Sequence, residues 1–201
     1  MNTNTMNLSM LRKGVLGVAG VAFAAGVVAG PVAAVAVESP ARAATPVAVQ
    51  GDKPDTSRLM PHGVRGEQSR IPLDAEQTGN VKAIIAATKK AGMDERAAVV
   101  AIATSLQESK LENLGHLGDR NDHDSQGLFQ QRPSSGWGTV EQITDPEYAT
   151  TAFLTGLKQV DGWRDMPLTK AAQTVQVSAY PDHYAQWETQ AADLVAEHWT
   201  S

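Results

Sequence analysis

The apolar residues of this chain fall into two patterns. Across residues 14–37 they run without a break, and only Gly, Ala, Val, Leu, Phe and one Pro occur there. From Leu73 onward they recur instead every third or fourth position, the spacing of helices with one buried face. Residues 44–72 show neither pattern. Pro46, Pro54, Pro61 and Pro72, with Gly51, Gly63 and Gly66 among them, deny helix and give no strand alternation. That composition predicts a flexible linker. No internal repeat is visible.

The helical half breaks up at residues that start and stop helices. Val81, Ile84, Ile85 and Thr88 share one face of a first helix, and Gly92 ends it. Asp94 has the character of an N-cap, with Glu95 in the first turn where the helix dipole favours negative charge. Val99, Ile102, Ala103 and Leu106 form the buried stripe of this second helix. Residues 113–126 are polar and Gly-punctuated, which predicts a loop. Thr139 and Gln142 fit a capping box for a short helix. Asp145-Pro146 opens the next, a capping side chain followed by Pro at the first helical position, and Tyr148, Ala152 and Phe153 carry it towards Asp161-Gly162. Thr169 opens a helix through Val177. Asp182 opens the last, which packs through Trp187, Leu194 and Trp199. No strand pair is convincing. The predicted fold is all-α, a single domain over residues 73–201.

Charge adds an address. Arg12-Lys13, the apolar run, and Ala41-Arg42-Ala43 before Ala44 have the layout of a secretory signal peptide, residues 1–43, with an A-x-A cleavage site. The run is also long enough to span a bilayer, so an uncleaved anchor over residues 14–37 is the alternative. Pro31 and the many Gly and Ala residues weaken it as a permanent span. Either way the domain faces outward, secreted or associated with the cell wall, with no membrane contact once the signal is cleaved. Removing residues 1–43 takes away Arg12, Lys13 and Arg42 against Glu38 alone, so the net charge moves from −5 to −7. Acidity argues against a nucleic-acid partner, which basic patches would hold. With no cysteine, a packed core must supply the stability, without disulfide staples.

One residue stands out chemically. Glu108 ends an otherwise apolar helix, in Ile102-Ala103-Thr104-Ser105-Leu106-Gln107-Glu108-Ser109. A helix C-terminus carries partial negative charge, which disfavours a carboxylate by several tenths to about 1 kcal/mol. Partial burial adds to this. A carboxyl kept protonated near neutral pH is what a general acid needs to protonate a glycosidic oxygen.

The loop that follows leads to Gly127-Leu128-Phe129-Gln130-Gln131, and Ser178-Ala179-Tyr180 comes later. In this order, and in helical context from Val81 to Trp187, the chain resembles the lysozyme-like superfamily, especially the soluble lytic transglycosylase domain. Asp124-Ser125-Gln126-Gly127 through Arg132-Pro133 and Gly136-Trp137-Gly138-Thr139 further resemble a lysozyme-like domain of secreted actinobacterial proteins. The resemblance implies that Glu108 is the single catalytic acid, cleaving the bond between N-acetylmuramic acid and N-acetylglucosamine in peptidoglycan glycan strands. It then serves as base on the muramyl C6 hydroxyl, closing a 1,6-anhydro ring. The resemblance implies substrate contacts from Gln130 and from Tyr180 near Glu108, and a loop-steadying role for Ser109. Gln131 falls in the same segment, and Trp137 presents a flat ring on a turn of small residues, suited to stacking on a sugar face. Trp163 and Trp187 are expected in the core.

Two departures from that pattern leave alternatives open. Pro181 stands where an Asn follows Ala-Tyr in the family, which favours a catalytically silent wall-binding or scaffold domain. The loop after Glu108 is longer than usual and carries Asp119, Asp122 and Asp124, any of which could pair with Glu108 in a two-carboxylate glycosidase. Asp122-x-Asp124-x-Gln126-Gly127 echoes a calcium loop only faintly, because Pro133 takes the place of the closing Glu. His116 and His123 lack a zinc-binding spacing. No metal and no cofactor is expected, and the chain is expected to be a monomer. Arg132 is expected in a surface salt bridge, with a substrate carboxylate as its alternative partner.

Overall fold

The computed structural model describes residues 55–120 and 123–200, all within one compact unit, Ala48–Ser201. The signal peptide over 1–43, the alternative anchor, the linker as far as residue 54, and Asp122 lie outside the described residues. The described residues form an all-α unit. Their only β pairing is an isolated antiparallel bridge between Gln126 and Gln131. None of their helices is long and apolar enough to cross a membrane.

Seven α-helices build it: α1 (Thr56–Leu59), α2 (Ala75–Lys90), α3 (Glu95–Ser109), α4 (Val140–Ile143), α5 (Pro146–Lys158), α6 (Leu168–Gln176) and α7 (Glu188–His198). Helix α3 is the axis of the core. It is apolar almost all round, and unbroken burial from Arg96 to Leu106 follows from that, since every face needs a neighbour. Helices α2, α5, α6 and α7 supply those neighbours. Each fully buried Val, Ile or Leu there contributes about 1.5–3 kcal/mol. Trp163 and Trp187 are core residues, as expected.

The helix starts follow the capping side chains. Asp94 accepts from the Ala97 amide at 3.1 Å, Asp145 accepts from the Tyr148 amide at 2.7 Å, and Thr139 and Gln142 cap each other reciprocally. Two starts differ from expectation. Helix α6 begins at Leu168 after Pro167, and the Thr169 hydroxyl donates to the Pro181 carbonyl at 2.6 Å. Asp182 caps nothing. Its backbone already turns (φ −98°, ψ −6°), where a cap needs an extended residue, so a 3-10 helix (His183–Trp187) forms before α7.

The described half of the expected linker is also different. Residues 55–72 run as a strap along the domain. Asp55 caps α1, whose Leu59 is buried, and the Leu59 carbonyl accepts from Arg96 Nη1 at 2.7 Å. Further on, the Ser69 amide donates to the Gln186 carbonyl at 2.7 Å, and Gln190 pairs with both backbone groups of Ile71. Pro and Gly correctly excluded a long helix here. They carried no information about extended chain held by side-chain amides of another element.

Candidate active site

Glu108 is the penultimate residue of α3 and half-buried. The helix stops just beyond it at two successive left-handed residues, Lys110 (φ 58°) and Leu111 (φ 64°). Neither is Gly, so each costs on the order of 1–2 kcal/mol. Packing holds them there: Leu111 is fully buried, its carbonyl accepts from Asn80 Nδ2 at 2.9 Å, and the Lys110 carbonyl accepts from Gln77 Nε2 at 2.9 Å. The Lys110 ammonium folds back onto the Leu106 carbonyl at 3.0 Å and over the Trp187 ring. Its partial burial pushes its pKa down, and Glu108 pulls it up.

Two elements remote in sequence orient the Glu108 carboxyl. The Tyr184 hydroxyl, from the 3-10 helix before α7, donates to Oε1 at 2.7 Å. Gln176, the last residue of α6, donates to the same oxygen at 3.3 Å and to the Phe129 carbonyl at 2.9 Å. Burial pushes the Tyr184 pKa far above its usual 10.0, with the Glu108 charge and hydrogen bond adding to the effect, so this phenol is a permanent donor. Next to Glu108, Gln107 Oε1 accepts from Trp187 Nε1 at 2.9 Å and Gln186 Nε2 at 3.0 Å.

The segment opposite is a tight turn closed by the Gln126–Gln131 bridge, with both backbone bonds at 3.0 Å. Its inner residues Leu128 and Phe129 are fully buried, Phe129 stacked on Phe153 with centroids 5.0 Å apart. Ser109 Oγ donates to the Leu128 carbonyl at 2.8 Å, tying the turn to the end of α3. Gly127 (φ 75°) makes the turn possible, since a Cβ there would lie 2.0 Å from the Ile143 carbonyl oxygen. Gln130, itself left-handed (φ 47°), reaches the rim of the open space in front of Glu108. Strained backbone thus clusters beside Glu108 and along this space, which is where strain carries function in folded proteins.

That space is a cleft of about 570 Å³, within the range of small-ligand sites. Glu108, Gln130, Gln131, Trp137 and Tyr180, all singled out by sequence, line it. Gln131 has a structural duty as well: it is buried, and its Nε2 donates to the Ala149 carbonyl at 3.1 Å. Tyr180 is 62% exposed, stacks on His183 and stands at the rim. The tyrosine bonded to Glu108 is Tyr184. Ser109 is buried beneath the site and does not line it.

The described aspartates of the acidic loop are placed apart. Asp119 sits exposed in a 3-10 turn (Gly118–Arg120), and neither it nor Asp124 lines the cleft. Asp124 accepts from the Ser134 amide and hydroxyl, both at 2.8 Å, and from Arg132 Nε at 3.0 Å. Those partners, the Ser134 amide first, hold its carboxyl far below the usual carboxylate range. Arg132 is thereby in a salt bridge while also lining the cleft. Among the described lining residues, Glu108 is the only acid and Arg132 the only base.

Sequence reasoning missed Gln107, Gln176 and Tyr184. Tyr180 and Tyr184 are four residues apart, and the pattern does not say which turns inward. The hint was Pro181 between them, which forces the chain to turn again before α7. No family model matches the chain, and no curated protein matches it.

Proposed function

We propose that the protein cleaves peptidoglycan glycan strands outside the cell, with Glu108 as general acid and then base. The observation that carries this reading is a carboxyl on a cleft wall, the single one among the described lining residues, oriented through Oε1 by Tyr184 and Gln176, among amides, hydroxyls and a Trp ring. Such a lining suits a hydroxyl-rich substrate, and Arg132, the cation among the described lining residues, is already paired with Asp124. Glu108 gives its proton to the glycosidic oxygen as the bond to the muramyl C1 breaks. The muramyl C6 hydroxyl oxygen then bonds to C1, and its proton passes to the Glu108 carboxylate, which restores the acid. This route needs no second carboxylate, and the positions of Asp119 and Asp124 outside the cleft favour it over a pairing of Glu108 with either of them. Export rests on the pattern of residues 1–43.

Glu108→Gln keeps shape and removes the proton. It should lower release of soluble fragments from isolated walls by about 10²–10⁴-fold. Equal clearance by both proteins would sink the assignment. Pro181 supports the second reading, wall binding without turnover: its carbonyl is occupied by Thr169, and it offers the cleft no amide where the family has Asn. Mass spectrometry of wall digests separates the outcomes. Anhydro ends, hydrolysed ends and no products correspond to the transglycosylase, the lysozyme-type hydrolase and the silent binder.

A further inference from the structure

Trp137 walls two depressions. On one side it lines the Glu108 cleft; on the other it borders a shallower hollow of about 400 Å³ over α5. The floor and far wall of that hollow come from Tyr148, Thr151, Ala152 and Thr155, positions i, i+3, i+4 and i+7 of one helix face. The Tyr148 ring rests flush on the turn that carries Trp137, for a Cβ added at Gly138 would lie 3.0 Å from its Cε1 and 3.1 Å from its Oη. The Thr151 hydroxyl donates to the Glu147 carbonyl and that of Thr155 to the Thr151 carbonyl, both at 2.8 Å. Those protons are committed to the helix backbone, which leaves the oxygens of these two exposed threonines as acceptors. Among the described residues that line the hollow, none is charged.

We infer that this hollow is an outlying saccharide subsite, holding sugar units of the same glycan strand beyond those in the Glu108 cleft. The inference rests on the carbohydrate reading of that cleft and extends it from a short oligosaccharide to a polymer. A flat phenol beside an indole, with hydroxyl acceptors one helical turn apart and no charge, fits a pyranose face and its rim of hydroxyl donors. An anion or a charged peptide would find no partner there. The shared indole makes the two spaces neighbours along one path, so a strand seated at Glu108 need only continue past Trp137 to reach Tyr148.

The test uses the full chain carrying Glu108→Gln, with N-acetylglucosamine dimer and hexamer as probes. In amide-resolved NMR titrations the hexamer should shift Tyr148, Thr151 and Thr155 as well as cleft residues, whereas the dimer should shift cleft residues alone. Adding Tyr148→Ala should weaken hexamer binding about tenfold and leave the dimer unaffected. Thr155→Arg, an exposed change that fills the hollow, should do the same. The inference fails if saturating hexamer leaves residues 148–155 unmoved, or if both variants bind it as tightly as their parent. It fails too if those signals move with protein concentration instead, which would mark a surface for a second copy of the chain. Wall turnover by the unmutated protein reads the Glu108 assignment separately. Hexamer shifts at α5 without turnover would leave the subsite standing and remove the catalysis; turnover without those shifts would do the reverse.

Discussion

The carboxyl of Glu108 and the phenol of Tyr184 form a pair whose parts were unequally visible in the sequence. A lone Glu at the end of an apolar helix is conspicuous because it breaks a pattern. A Tyr among packing residues breaks none, and its hydroxyl is informative only once the chain is folded. The pair makes two predictions. Tyr184→Phe removes a donor to the carboxylate, which disfavours its ionised form, so the alkaline limb of the pH–rate profile on walls, where Glu108 loses its proton, should move to higher pH. An unmoved limb would mean that the hydrogen bond does not tune the acid. The second concerns stability. The folded pKa of Tyr184 is raised above the unfolded value near 10, so its contribution is complete below pH 10. It is lost as pH rises beyond that, because only the unfolded chain then releases the proton readily. The melting temperature of the unmutated protein should therefore fall more steeply from about pH 9 to 11 than that of Tyr184→Phe. Parallel curves would refute this.

Among the elements, helices were legible and the turns that build the site were legible only in part. Helix starts rest on local chemistry, one side chain meeting an amide three residues on, and Asp94, Thr139 and Asp145 all read correctly. The turn from Gln126 to Gln131 depends on partners elsewhere: Ser109, Gln176, Leu114 and the Ile143 carbonyl. A sequence motif marks that such a turn exists, but its grip comes from four separate segments. Its weak point is Gly127. Gly127→Ala combines a positive φ with an overlap against backbone, at a cost of roughly 2–4 kcal/mol. Its melting temperature should fall by about 10 °C. A change of only a degree or two would show that the turn relaxes freely and that the Ile143 carbonyl does not confine it.

At the scale of the whole molecule, the strap is what sequence hid most completely. Its anchoring runs through Arg96, 7% exposed, whose Nη1 reaches both the Leu59 carbonyl and Glu188 Oε1 at 2.7 Å, with Glu188 3% exposed. One guanidinium thus joins α1, α3 and α7. Arg96→Met leaves a buried carboxylate without its counter-charge and should destabilise the domain by about 3–5 kcal/mol, measured by urea unfolding. Arg96→Met with Glu188→Leu should recover most of that loss. If the double variant is no better than the single one, the ion pair is not the cause.

The strap's other end grips the turn on which Tyr184 sits. Gln68 donates to the Ala185 carbonyl, and Ser69 bonds both the backbone and the side chain of Gln186, the two residues after that tyrosine. Arg65 and Arg70 flank these contacts and are exposed. A trypsin nick at either arginine would therefore loosen the support of the acid while leaving the helical core whole, and a clipped protein should keep its circular dichroism and still lose its rate.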